Sequence, residues 1–210
     1  MKKTKKQQRR LSRGEIKLAV LPFALLGVLI AVIPLGVPKA ANATTTVITS
    51  VISPVISFSN SNGTVNLNVT PGAANGNQTT SSDSITILSN DSSGYNVYLS
   101  NNSATNGTLG DVIAASSNSS PAVLAADTWG YREDGFGSFG AGPTIALTSN
   151  PTLSSLTYMP VPLSGSPVII ASPSTYTSSA TYTIWYSVVA KTDIPSGSYA
   201  STVLYTATTK

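Results

Sequence analysis

The chain has 210 residues, of which 12 are basic and 8 acidic, and a formal net charge of +4. It contains no cysteine and no histidine, which excludes thiol nucleophiles, disulfide bonds, Ser-His-Asp relays and ordinary zinc sites. Nine of the basic residues lie in the first 39 positions, and the rest of the chain has three basic and seven acidic residues. We therefore expect no basic patch in the folded part and no nucleic-acid partner.

The first 43 residues have the pattern of an export signal. A basic stretch ending at Lys17 precedes an uncharged apolar run, residues 18–37, and small residues follow at Ala41 and Ala43. We predict a signal peptide that is cleaved after Ala43. The alternative is a retained membrane anchor, because about 20 apolar residues can span a bilayer as a helix. In both cases the basic flank stays inside and the remainder, with the C-terminus, is exported to the cell surface or beyond it.

Residues 44–50 are predicted to be a short linker, and residues 51–210 to be the folded domain. This part is rich in Thr, Ser, Asn, Val and Tyr and is broken at intervals by Gly and Pro, a composition typical of all-β proteins. The clearest predicted strand is residues 63–70, where Val65, Leu67 and Val69 alternate with polar residues. Further strands are predicted at residues 51–59, 84–88, 94–100, 144–148 and 167–171, and polar loops at 75–82, 101–107 and 116–120.

The C-terminal part predicts two long strands, residues 181–192 and 199–209, joined through Pro195 and Gly197. They form either a terminal hairpin or a pair that crosses between two sheets. One short helix is predicted at residues 121–127, with Ser120 as N-cap and Pro121 at its first position. We predict an all-β fold, an antiparallel Ig-like, Greek-key β-sandwich of about seven to nine strands, preceded by the N-terminal apolar helix.

Charge and aromatic rings concentrate in one segment, DTWGYREDGFGSFG at residues 127–140. Aromatic rings on a loop present large, rigid surfaces that suit a sugar or a protein partner. The candidate binding residues are Trp129, Tyr131, Arg132 and Phe136. The favoured prediction is nevertheless a structural corner, in which Trp129 packs inside the sandwich, Gly130 and Gly135 turn the chain and Arg132 pairs with a nearby acid, and binding is the alternative.

The acids of this segment raise the question of catalysis. A glycosidase needs two carboxyl groups about 5 to 10 Å apart, and Asp127 with Glu133 or Asp134 could supply them. Asp91 and Asp134 offer hard oxygens for calcium, but the spacing of an EF-hand is missing. We therefore predict no catalytic residue, no metal site and no cofactor.

Lys191 is the one lysine within the predicted strands. A buried lysine can form an internal crosslink with an asparagine beside a carboxylate. The simpler prediction is an ordinary lysine at a strand end, next to Asp193.

Four segments carry a resemblance to known proteins: SGYNVYLSNN at residues 93–102, WGY at 129–131, YMPVP at 158–162 and IPSGSYASTVLYTAT at 194–208. Together they resemble a group of uncharacterised exported β-sandwich surface proteins of reduced-genome, host-attached bacteria, over roughly residues 84–209. The last segment is also similar to the final strands of spore-coat-like surface domains. The resemblance implies a sandwich fold at the cell surface and no particular activity.

These observations predict a surface module, structural or attaching, without catalytic activity. A glycan- or protein-binding module that uses the loop aromatics is the alternative, and a carboxylate hydrolase is a third. Self-assembly is a fourth, in which residues 45–59 complete the sheet of a neighbour.

Overall fold

A computed structural model describes residues 46–104, 107–134, 138–143, 145–152 and 154–210. The predicted N-terminal helix, the cleavage site and the start of the linker lie outside the described residues. The described residues contain nine strands and no helix. The strands are β1 (Ile56–Asn60), β2 (Asn77–Ser89), β3 (Tyr95–Asn101), β4 (Ala114–Ala115), β5 (Thr128–Glu133), β6 (Leu147–Asn150), β7 (Val168–Ala171), β8 (Ala180–Ala190) and β9 (Val203–Thr209).

The strands form two sheets within the compact unit Ser50–Lys210. The larger sheet has the order β1-β2-β8-β5-β4, with β6 also paired to β2, and the smaller has the order β7-β3-β9. One hydrophobic core contains buried side chains from both sheets, such as Ile85 of β2, Val97 of β3 and Ile184 of β8. The all-β prediction is confirmed, and the two sheets with nine strands are consistent with a β-sandwich.

The strands with a regular apolar alternation lie where the sequence predicts them. In β3 the side chains of Tyr95, Val97 and Leu99 are completely buried. In β9, Val203 and Tyr205 pack against the same core. β8 and β9 belong to different sheets, so the predicted pair that crosses between sheets is confirmed and the hairpin is wrong.

β2 is longer than its apolar part and includes residues 77–82, which were predicted to be a loop. On the face of the sheet away from the smaller sheet, the Gln78 amide donates to the Ser187 hydroxyl at 2.8 Å, and Thr80 donates to it at 2.9 Å. These three residues are fully buried. Small polar side chains that satisfy one another can be buried at little cost, so polarity alone is a poor sign of a loop here.

Residues 63–70, called the wall segment below, keep the predicted alternation but do not form a strand. Val65, Leu67 and Val69 are half-buried and lie between exposed neighbours. None of the residues 63–70, all of which the structure describes, pairs with a neighbouring strand, so the strand prediction is wrong. The physical reason is competition for an edge, because β6 pairs with β2 at Gln78 and Thr80.

The predicted helix at residues 121–127 is also wrong. Ala122 exchanges two backbone hydrogen bonds with Tyr158, of 3.2 and 2.8 Å, and the second of them takes up the carbonyl group of Ala122 that a helix would need. Asp127 has a φ of 59°, a left-handed conformation that ends any right-handed helix. Of the weaker predictions, 167–171 matches β7, whereas β1 begins only at Ile56 and β6 is displaced to Leu147–Asn150.

Candidate functional site

Trp129 and Tyr131 lie inside the fold and not on a loop. β5 has neighbours on both sides, and alternate residues of it face the core. Trp129 is 3 % exposed and donates its indole N–H to the carbonyl oxygen of Gly107 at 2.9 Å. Tyr131 is 2 % exposed and meets the edge of Phe139 at 5.6 Å between ring centres. The prediction of an exposed aromatic surface at these two residues is wrong; Phe136 lies outside the described residues.

Arg132 faces the opposite side of β5 and is completely buried. Its guanidinium donates to the carbonyl oxygens of Phe139, Gly140 and Ala141, at 2.8, 3.2 and 2.8 Å, and to that of Thr157 at 3.2 Å. Burial lowers the pKa of Arg132. The predicted pairing with an acid is wrong, because Arg132 fastens two loop segments onto the sheet through their carbonyl groups. The side chain is therefore not part of an exposed surface, as the predicted binding role assumes.

The three acids of the segment have three separate environments. Asp127 forms an ion pair with Lys191 at 2.8 Å and accepts the backbone N–H of the same residue. Asp134 accepts the backbone N–H of Gly142 at 2.6 Å. Glu133 points into the core and is 1 % exposed. The contacts of the described residues therefore do not join these acids into one catalytic group.

Lys191 is the strand-end lysine of the simpler prediction. Its ammonium group bonds Asp193 at 3.0 Å as well as Asp127. These hydrogen bonds, first that to Asp127, raise the pKa of Lys191.

Glu133 belongs to a polar group inside the core that the sequence analysis missed. Neither carboxylate oxygen of Glu133 accepts a hydrogen bond from a described residue, and burial raises its pKa to about 8. Across β8 from it lies Asp83, which is paired through Ile184 and accepts bonds from Ser61 and Ser84. The two carboxyl groups are thus two strands apart in the core.

Tyrosine hydroxyls accompany these acids. Tyr95 bonds Tyr182 at 2.9 Å, and Tyr186 bonds Tyr205. Burial raises the pKa of Tyr182 and of Tyr205, and it raises that of Tyr131 to about 12. The sequence did contain a signal, because tyrosines at alternate strand positions bring hydroxyls into a core, where each needs a partner.

A groove of about 530 Å³ opens at one end of the fold. One side is formed by residues 65–71 and the other by the turn at residues 194–199. Its apolar floor contains Leu109, Ile113, Val188 and Ala190. Its lining has no charged side chain among the described residues, and its volume is within the usual range of about 300 to 1,000 Å³ for ligand sites.

Residues 46–55, called the arm below, expose apolar side chains. The exposed fractions of Val47, Ile48, Val51, Ile52 and Val55 lie between 61 and 93 %. The arm is attached where β2 ends. Asn90 donates its side-chain amide to Ser53 at 3.1 Å and its backbone N–H to Val55 at 3.2 Å, and its side-chain oxygen accepts the N–H of Val55.

Comparison with known protein families, curated proteins and solved structures finds no match for this chain. Three or more metal-binding side chains do not come together anywhere in the described part of the chain. From Thr46 onward, no described helix has the length and apolarity to cross a membrane, and residues 18–37 precede this part.

Proposed function

We propose that the protein is an exported module of the cell surface that acts in envelope structure or attachment. Its fold is an Ig-like, Greek-key sandwich, a proposal supported by consecutive strands that change sheets at β2–β3, β3–β4, β6–β7, β7–β8 and β8–β9. The N-terminal export pattern and the resemblance to exported sandwich proteins support the location.

One observation carries this proposal. The arm follows directly on the export signal and leaves five aliphatic side chains in water. Exposed apolar groups of this kind generally mark a surface that meets another molecule. An exported module with such an arm is suited to joining other components outside the cell.

Fractionation of cells that make the full chain, followed by N-terminal sequencing, tests the proposal. We expect protease added to intact cells to reach the domain. A first residue of Thr44 would identify the released form, and an intact N-terminus in the membrane fraction would identify the anchored form. A protein found inside the cell with its N-terminus intact would overturn the proposal.

A further inference from the structure

The wall segment has the burial pattern of a strand but lacks a strand partner. Its residues 64–69 take part in no backbone–backbone hydrogen bond with other described residues. Side chains hold it at single points, as where Thr79 donates to the carbonyl oxygen of Asn68 at 2.9 Å. Backbone N–H and C=O groups of an extended segment are available for an added strand, which is a common mode of peptide recognition.

The arm has the composition of a strand without a sheet. Seven of its ten residues are Thr, Val or Ile, the β-branched types that favour strands, and none is charged. Val-Ile pairs recur every four residues, at Val47, Val51 and Val55. In an extended chain, every second side chain on each of the two faces would therefore be aliphatic. Neither the arm nor the described lining of the groove is charged, and the aliphatic side chains of the arm match the apolar floor of the groove.

The arm cannot fill the groove of its own chain. It is attached beside Asn90, at the C-terminal end of β2, whereas the floor residues Val188 and Ala190 lie opposite Thr79 and Asn77 at the other end. β2 has 13 residues, which at 3.3 Å each separate its ends by about 40 Å. The seven residues 46–52 span at most about 25 Å when fully extended. The matching groove must belong to another copy.

We propose that the arm of one copy lies in the groove of a second copy and adds a strand beside its wall segment. This inference rests on the proposed export, which brings copies together outside the cell. It names the partner of the arm, namely an identical chain.

Introduced cysteines test this contact, because the natural chain has none. Cells co-express two full-length copies that carry different tags: one copy has Val51→Cys or Ile52→Cys in the arm, and the other has Asn66→Cys in the wall segment. Neighbouring arm residues point to opposite faces of the sheet, so one of the two positions should lie on the same face as residue 66 of the wall segment. We expect mild oxidation to give a disulfide-linked heterodimer, since this bond needs Cα atoms within about 7 Å.

Ala125→Cys replaces Asn66→Cys in the control, because Ala125 is also exposed but does not line the groove. The inference is overturned if both arm variants link to Asn66→Cys no more than to Ala125→Cys. Cell-surface accessibility is measured on the same cells. A surface protein without the specific crosslink removes this inference and leaves the proposed function, whereas an intracellular protein removes the proposed function.

A second measurement concerns the arm alone. Val51→Asp combined with Ile52→Asp should weaken self-association at least about 100-fold, because two apolar side chains are replaced by charges in an uncharged groove with an apolar floor. Both positions are exposed in the single chain, so circular dichroism and thermal unfolding should be unchanged. Unchanged association of this well-folded variant would contradict the inference.

Discussion

Single residues of the segment 127–140 show what its aromatic rings and charges do in the fold. Trp129, Tyr131 and Arg132 stabilise the fold from within: two rings fill the core, and one guanidinium binds loop carbonyl groups on the other face of β5. The sequence identified this cluster but not its direction. Whether an aromatic residue faces solvent or core depends on which strand pairs beside it, and the long strand beside β5, namely β8, is distant in the chain.

Arg132→Lys should destabilise the domain by about 2 to 5 kcal/mol. A single ammonium group cannot reach carbonyl groups in two loop segments, and those left buried lose their donor. Urea unfolding monitored by tryptophan fluorescence measures the loss. Lys191→Met, which removes two partly exposed ion pairs, is the comparison and should have a much smaller effect. Equal effects of the two substitutions would contradict the fastening role of Arg132.

Glu133 should make the stability depend on pH. Its pKa is raised from 4.5 to about 8 in the folded protein, so between these values the folded chain keeps a proton that the unfolded chain has lost. The contribution is complete below pH 4.5 and is lost as pH rises towards 8. The free energy of unfolding should fall by at most about 1.4 kcal/mol per pH unit in this window.

Glu133→Gln should flatten this dependence in chemical denaturation series between pH about 5 and about 8, because the amide does not titrate in that range. Asp193→Asn is the matched control. Its carboxyl group is exposed and its pKa is lowered by the hydrogen bond to Lys191, so the fall in stability with rising pH should remain. If Glu133→Gln retains the slope of the natural protein, the buried carboxyl is not its source.

At the level of strands, the sequence was informative wherever apolar residues alternate and form the core. β3, β8 and β9 were found for this reason. The first half of β2 was missed because its buried hydroxyl and amide groups satisfy one another across the ladder. The wall segment shows the converse, since its alternation is correct but β6 holds the edge of β2. Such competition between distant segments leaves no trace in a local pattern.

The turn between β2 and β3 contains a glycine, Gly94, whose replacement should be costly. Gly94 has a φ of +82°, and a side chain there would overlap the carbonyl oxygen of Pro173. Gly63 has a φ of +64° but meets no atom within 4 Å. Gly63→Ala should cost about 1 to 2 kcal/mol from backbone strain alone, and Gly94→Ala about 1 to 3 kcal/mol more.

Thermal and urea unfolding of the two alanine variants separate strain from overlap, because both share the left-handed backbone. Equal losses in the free energy of unfolding would mean that the loop at Pro173 moves aside without an energetic cost. A larger loss for Gly94→Ala would show that this turn is held against the segment that follows β7.

For the whole molecule, the relevant fact is that arm attachment and groove lie at opposite ends of β2. Contacts between unlike surfaces close into rings only when the rotation permits, and otherwise produce open chains. A single chain carrying both Ile52→Cys and Asn66→Cys should therefore give a ladder of linked species on a non-reducing gel. A dimer that stops at two copies would indicate a symmetric contact instead.

An open chain of such subunits has two different ends. A row of such subunits would have a vacant groove at one tip and a spare arm at the other. A copy with a blocked groove could still join by its arm and would stop growth at the first tip, whereas a copy without an arm could still join by its groove and would stop growth at the second. Two defective forms of one protein would thus cap opposite tips, and mixing either with the natural protein would shorten the resulting fibres.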